Sequence, residues 1–100
     1  MDKTAYTAAF NAAASSECSE NREWNLVFLK KALCVMNDTL KCRGHVFLND
    51  VRDMLGLERT SRGQLVGWLA SGGEIDFGIA ETENGIELDF NVQGIIFDLL

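Results

Sequence analysis

The side chains of this chain that could do chemistry are carboxylates, and they are concentrated after Arg62. Beyond that residue the sequence has no lysine or arginine, whereas it has seven acidic residues. Grouped carboxylates can bind a basic protein surface, coordinate a cation, or keep an exposed surface soluble. The seven residues are Glu74, Asp76, Glu81, Glu83, Glu87, Asp89 and Asp98.

Two segments of this acidic region, 74–80 and 86–92, alternate apolar and polar residues as half-buried β-strands do. The pair Asn84-Gly85 between them is a hairpin turn signal. Placing the apolar set inward puts four carboxylates on one outer face of the hairpin under any aligned register. The apolar set is Ile75, Phe77, Ile79, Ile86, Leu88, Phe90 and Val92, and the outer face carries Glu74, Asp76, Glu87 and Asp89.

Three interpretations of this acidic face remain open. Charges of this kind can simply protect a sheet edge from aggregation. The second interpretation is cation binding, which is the weakest of the three because Ca²⁺ normally binds a looping segment with a glycine turn and no D-x-D-x-D-G run is present. The sequence therefore predicts no metal site. The third interpretation is a docking surface for a basic partner, or a nucleic-acid mimic if that partner normally holds a phosphate backbone. Glu81 and Glu83 complete this candidate partner-binding set.

Helical patterns precede the hairpin. The alanine-rich stretch from about Thr4 to Ser16, with Tyr6, Phe10 and Ala13 or Ala14 at helical spacing, predicts a first helix. A second helix is predicted with Ser19 or Asn21 as its N-cap and Gly44 as its C-cap. Its apolar face comprises Leu26, Leu29, Leu33, Met36 and Leu40, widened by Trp24, Val27, Phe28 and Val35, with Cys34 packed as a small hydrophobe.

The middle of the chain has the outline of a helix-turn-helix. After a short extended piece at 45–47, Asn49 is predicted to cap a brief helix that ends at Gly56. A second brief helix is predicted from Thr60 or Ser61 to Gly72, with Trp68 in the core. Arg59, Arg62 and Gln64 would then lie where base-reading residues lie, as in a winged helix. The following acidic hairpin disfavours DNA binding, because a wing that grips phosphates needs basic residues.

Composition excludes several classes of protein. The net charge of −6 argues against non-specific binding to nucleic acid or an anionic membrane. No catalytic constellation, cofactor motif or membrane span is present, so a non-enzymatic protein without cofactors is predicted. Three cysteines without a C-x-x-C pair and no secretory leader favour reduced thiols in the cytoplasm. With 100 residues, one domain is expected, with a helical part at 1–44 and short helices plus the hairpin at 45–100.

Four sequence runs carry a family resemblance over residues 40–100. They are G-H-V-F-L-N-D-V-R-D-M-L-G-L-E-R-T at 44–60, V-G-W at 66–68, I-D-F-G-I at 75–79 and L-D-F-N-V at 88–92. In these runs the chain resembles an uncharacterised domain encoded by tailed phages and integrated elements of gut Gram-positive bacteria. The resemblance implies a biological setting and no activity.

Together these observations predict an α+β domain with two N-terminal helices, a helix-turn-helix-like pair, and an antiparallel hairpin or small sheet with one acidic face. The functional prediction is a phage or mobile-element accessory protein that binds a basic surface of a host protein. A nucleic-acid-binding defence effector such as a CRISPR nuclease is the expected kind of partner. The alternatives are a winged-helix-like DNA-binding regulator and a small phage structural or assembly protein. The sequence sets no oligomeric state.

Overall fold

The structure is a computed structural model that describes residues 6–11, 15, 17–83 and 85–99. In that part of the chain the predicted α+β class is confirmed, with two helices and two three-stranded antiparallel sheets. Three short 3₁₀ turns lie wholly within the described residues, at Arg62–Gln64, Ala70–Gly72 and Phe97–Leu99. The helices and strands are β1 (Thr7–Phe10), α1 (Arg22–Arg43), β2 (His45–Phe47), α2 (Leu48–Met54), β3 (Val66–Leu69), β4 (Ala80–Thr82), β5 (Gly85–Asp89) and β6 (Gly94–Ile95).

The long helix α1 begins and ends where its sequence predicts. The Asn21 side chain accepts a hydrogen bond from the Trp24 backbone N–H at 3.2 Å, which caps the first turn. At the other end Gly44 adopts a left-handed conformation with φ of 88°, and its N–H donates to the Leu40 carbonyl. The buried side of α1 packs on the core through Asn25, Leu29, Ala32, Met36 and Leu40.

Part of the predicted apolar face of α1 is wrong. Trp24, Val27, Cys34 and Val35 are exposed instead of buried. Leu26, Phe28 and Leu33 are partly buried against the core. An amphipathic pattern indicates a helix, but the width of its buried face depends on which other elements pack against it.

The predicted first helix is also wrong in the residues that the structure describes. Residues 7–10 form β1, which pairs antiparallel with β5, so that Ala8 lies opposite Leu88 and Phe10 opposite Ile86. Tyr6 and Phe10 are both buried, and their spacing of four is an even number, which suits a strand as well as a helix. Pairing with β5 therefore overrides the helical propensity of alanine. Residues 4, 5, 12–14 and 16 of this predicted helix lie outside the described residues.

The second half of the predicted helix-turn-helix is a strand. Residues 66–69 form β3, the central strand of the sheet β2-β3-β6. Gly67 explains the difference, because a Cβ at this position would lie 2.1 Å from the Val46 carbonyl oxygen of β2. Trp68 is fully buried, as predicted for the core. The extended piece at 45–47 is confirmed as β2.

The brief helix α2 is confirmed, but its predicted cap is not. Asn49 lies inside the helix, where its side-chain amide accepts from the Thr60 N–H at 3.0 Å and donates to the Thr60 carbonyl at 2.9 Å. The Asp50 carboxylate instead accepts a hydrogen bond from the Phe47 N–H at 3.0 Å. Gly56, with φ of 71°, follows the end of α2.

Neither helix among the described residues combines the length and apolar content that crossing a bilayer would require.

Candidate functional site

An antiparallel hairpin is present, but its first strand is β4 and not the predicted segment 74–80, and its second strand β5 ends at Asp89 and not at residue 92. Strand β5 lies in the middle of a sheet. Strand β4 pairs with β5 so that Ala80 lies opposite Glu87 and Thr82 opposite Gly85. The order of this sheet is β1-β5-β4, so β5 has a neighbour on each side. Gly85 of the predicted turn signal therefore belongs to β5, and Asn84 lies outside the described residues.

Along β5 the side chains alternate between core and solvent. Ile86 and Leu88 are buried, whereas Glu87 and Asp89 are exposed. Side chains two residues apart on a strand share a face and lie about 6.6–7 Å apart. The two carboxylates therefore lie in one row on the outward side of the sheet. Helix α1 packs on the opposite side, where the Phe28 ring stacks on the Phe10 ring with their centroids 5.8 Å apart.

Small side chains flank this row on both neighbouring strands. Ala9 of β1 and Ala80 of β4 lie opposite Glu87, and Thr7 of β1 lies opposite Asp89. No carboxylate therefore faces another carboxylate directly across these strands. The result is a shallow depression of about 680 Å³ lined by Thr7, Ala8, Ala9, Gly78, Ala80, Glu87, Leu88 and Asp89.

Glu74 and Asp76 belong to a segment that forms no strand, and two asparagine side chains hold it. The Asn37 amide accepts from the Ile75 N–H at 2.8 Å and donates to the Ile75 carbonyl at 3.1 Å. The Asn91 amide accepts from the Asp76 N–H at 2.7 Å and donates to the Glu74 carbonyl at 3.1 Å. Side-chain amides here replace the hydrogen bonds that a neighbouring strand would supply.

Gly78 separates this segment from β4. Its φ of 57° is left-handed, and a Cβ there would lie 2.3 Å from the Asp89 carbonyl oxygen. The Asp89 N–H donates to the Phe77 carbonyl at 2.9 Å, and the Asn91 N–H donates to the Asp76 carbonyl at 3.3 Å. Only glycine permits this close approach, so the chain bends at Gly78 while it remains beside β5.

The six predicted acidic residues are all exposed, but they do not share one arrangement. Glu87 and Asp89 form the outward row on β5, and Glu74 and Asp76 alternate with the buried Ile75 and Phe77 on the adjoining segment. Glu81 lies opposite the buried Ile86, which puts it on the other side of the sheet from Glu87. Glu83 is a turn residue directly after β4.

None of these six carboxylates has a cation partner within the described residues. The ion pairs found there are Arg43–Asp50 at 3.3 Å and Arg59–Asp53 at 2.6 Å. The same part of the chain contains no group of three histidine, cysteine, aspartate or glutamate side chains that could hold a metal ion.

The alternative nucleic-acid-binding residues do not lie on a recognition helix. Arg59 donates to both Asp53 carboxylate oxygens, and its guanidinium lowers the pKa of that carboxyl group. Arg62 donates from Nε to the Tyr6 hydroxyl at 3.1 Å and lies over the Tyr6 ring. Gln64 is exposed in the 3₁₀ turn. Intramolecular contacts thus engage both arginines.

Sequence reasoning missed the residues that frame this site. Ala9 and Thr7 come from a segment whose composition favours a helix, so no local signal predicts that they flank β5. Asn37 and Asn91 are distant in sequence from each other, and only the fold brings their amides to the segment 74–76.

The described residues form an α+β fold in which Glu87 and Asp89, on the central strand of one three-stranded sheet, are exposed. The chain belongs to the family of unknown function DUF6353, whose family model matches residues 1–100. The resemblance to an uncharacterised domain family is confirmed to that extent, and the match covers the whole chain rather than residues 40–100 alone. Comparisons with curated proteins and with solved structures find no match.

Proposed function

We propose that this protein is a non-enzymatic binding protein whose outward sheet face docks onto a basic surface of another protein. The observation that carries the proposal is the row of Glu87 and Asp89 on the central strand β5. Both carboxylates are exposed, and neither has a cation partner among the described residues. Glu74 and Asp76 on the adjoining segment extend the same negative charge.

The small neighbours of this row favour docking over simple solvation. Lysine opposite Glu87 would neutralise the charge and stabilise the sheet by about 0.2–1 kcal/mol, whereas alanine occupies both opposing positions. Alanine also leaves room for a partner's lysine or arginine side chain to reach the carboxylates. Unpaired charge of one sign raises the association rate with a surface of opposite sign.

The partner class that we propose is a protein with a basic cleft that normally holds nucleic acid. A phage or mobile-element origin, which the sequence resemblance implies, would make a host defence nuclease such as a CRISPR effector the target. Occupying its guide or target channel would block access to nucleic acid sterically. A cytoplasmic location in the host follows from that proposal.

The test compares two variants that change the net charge equally. In Glu87→Gln/Asp89→Asn the outward row loses its charge, whereas Glu17→Gln/Asp98→Asn removes two exposed charges elsewhere. Immobilised protein is incubated with lysate at low and high salt, and the retained proteins are identified and assayed for nucleic-acid binding with and without the protein.

We expect the first variant to lose the salt-sensitive partner and the control variant to retain it. The partner should also lose nucleic-acid binding when the unmodified protein is added. Equal retention by both variants would refute the docking role of the row. A partner that still binds nucleic acid normally would refute the proposed inhibition alone.

A further inference from the structure

The sheet β1-β5-β4 has an open edge at β4, on the side of Ala80–Thr82 that faces away from β5. The hydrogen bonds of the central strand show which backbone groups face that edge. The Phe90 N–H, directly after β5, donates to the Tyr6 carbonyl at 2.9 Å. The Asp89 N–H donates to the Phe77 carbonyl, in the segment that leads into β4, also at 2.9 Å. Because the backbone groups of successive strand residues point to opposite sides, even-numbered residues of β5 bond toward β1 and odd-numbered residues bond toward β4.

The backbone of Glu81 therefore faces the open edge. Glu87 is odd-numbered and lies opposite Ala80, so these two residues bond to each other. Glu81 lies opposite Ile86 in a pair without mutual hydrogen bonds, and its N–H and C=O point away from β5. No described residue bonds to either group. Ala80 and Glu81 are exposed, so an extended chain can reach this edge and pair with it.

The outward side of this edge carries negative charge. Gly78 and Ala80 line the depression that holds Glu87 and Asp89, so the depression extends to β4. Those two carboxylates are the only charged side chains that line it. A residue added opposite Ala80 would lie about 9.6 Å from Glu87, two strand spacings away, with only the alanine methyl group between them. An extended lysine or arginine side chain spans most of that distance.

The inner side of the edge carries charges of both signs and one apolar side chain. Arg22 of α1 donates to the Thr82 carbonyl at 3.0 Å, and Lys30 lies about two turns further along the same side of α1. The Glu81 side chain lies on this side of the sheet as well. Ile79 is partly buried against the core. An added strand is therefore favoured when its inner residues are apolar and extend the Ile79 contact, and when its outward residues are basic.

We propose that an extended segment of the partner pairs with Glu81 as a fourth, antiparallel strand of this sheet, with lysine or arginine at every second position. Its basic side chains reach over Ala80 to Glu87 and Asp89. Its apolar side chains contact Ile79 on the inner side. This inference rests on the proposed docking to a basic surface and specifies how the partner docks. A second copy of the chain fits the edge poorly, because pairing β4 with β4 would bring two Glu81 side chains and two acidic outward faces together.

The probe is a synthetic peptide of about six residues, the length of an ordinary strand, in which lysine and valine alternate. In the proposed register the valines lie opposite Glu81 on the inner side, and their N–H groups face β4. One control peptide is N-methylated at its valines, so it keeps its charge but cannot donate the pairing hydrogen bonds. A second control peptide is N-methylated at its lysines, whose N–H groups would face away from β4.

Two variants of Glu81 separate backbone pairing from charge. Glu81→Pro removes the edge N–H and the carboxylate, whereas Glu81→Gln removes the carboxylate alone. An edge strand tolerates proline where the N–H faces solvent, so Glu81→Pro should keep the fold, which far-UV circular dichroism checks. The methylated peptides test the same pairing on the unmodified protein. NMR titration measures the dissociation constants, and hydrogen exchange of the Glu81 amide reports pairing at the edge.

We expect the alternating peptide and its lysine-methylated form to bind within about threefold of each other, and the valine-methylated form to bind about tenfold more weakly or worse. Glu81→Pro should weaken binding of the alternating peptide by about tenfold or more, and Glu81→Gln by less than about threefold. Exchange of the Glu81 amide should slow when the peptide is bound. Glu87→Gln/Asp89→Asn should weaken binding at low salt.

Equal binding of the two methylated peptides, or unchanged exchange of the Glu81 amide in the complex, would overturn strand addition. If Glu87→Gln/Asp89→Asn still weakened binding in that case, the docking role of the row would stand and only this inference would fall. Pairing at Glu81 that is indifferent to Glu87→Gln/Asp89→Asn would instead establish strand addition and contradict the role of the row. No binding of the alternating peptide, or a dimer of the protein alone that protects the Glu81 amide, would also overturn the inference.

Discussion

Substitution of Asn91 by alanine tests how the acidic segment 74–76 is held. The Asn91 side chain makes three hydrogen bonds: it accepts from the Trp68 indole at 2.9 Å and the Asp76 N–H at 2.7 Å, and it donates to the Glu74 carbonyl at 3.1 Å. A typical hydrogen bond contributes about 0.5–1.5 kcal/mol to stability. The change also removes one of the two acceptors of the buried Trp68 indole N–H.

The expected loss of unfolding free energy lies toward the lower end of the combined range for the three hydrogen bonds, for two reasons. Water can replace the amide at the exposed residues Glu74 and Asp76. The Trp68 indole also donates to the Asn91 backbone carbonyl at 3.1 Å, and this bond survives the substitution. We therefore expect Asn91→Ala to lower the free energy of unfolding by about 2 kcal/mol, which for a domain of this size lowers Tm by roughly 8–16 °C.

Urea denaturation followed by far-UV circular dichroism measures this loss without depending on tryptophan emission. Hydrogen exchange of the Asp76 amide measures the local release of the segment and should accelerate. Gln64→Ala is the control, because it removes an exposed side-chain amide and should change stability by less than about 0.5 kcal/mol. A loss for Asn91→Ala no larger than that of the control would refute the role assigned to this side chain.

Three further perturbations test the fold and the site. Ala8→Lys should lower stability by about 1–3 kcal/mol, because Ala8 lies opposite Leu88 against the core. Ala9→Lys places the lysine opposite Glu87, so it should leave stability unchanged or raised and should weaken binding of a basic partner. Similar melting temperatures for the two variants would contradict strand β1. Gly67→Ala should lower the free energy of unfolding by about 2 kcal/mol or more, since the alanine Cβ would clash with the Val46 carbonyl oxygen. A melting curve like that of the unmodified protein would contradict the β2–β3 packing. The hydrogen bond from Arg59 lowers the pKa of Asp53 below its ordinary value of 3.8. Near that pH the native state therefore binds fewer protons than the unfolded state. The stability that the Arg59–Asp53 pair contributes is lost as the pH falls below that value. In Arg59→Gln the Asp53 pKa, measured by NMR titration of the carboxyl carbon, should rise toward 3.8, and an unchanged titration would contradict the ion pair.

The sequence by itself determined the elements whose signals are local. Helix α1 begins after Asn21 and ends before Gly44, because a cap side chain and a left-handed glycine act within one helical turn. The alternation along 86–89 predicted which side chains of β5 are buried, because successive side chains of any strand point to opposite faces.

Only the tertiary structure decided the features that depend on a distant partner. Residues 7–10 became a strand because β5 offered hydrogen bonds that outweigh the helical propensity of alanine, and residues 66–69 became a strand because Gly67 allows β2 to approach closely. Trp24 is exposed although its pattern predicts burial, since no described element packs on that side of α1. Propensity differences amount to about 1 kcal/mol or less per residue, so pairing and packing with residues far away in the chain override them.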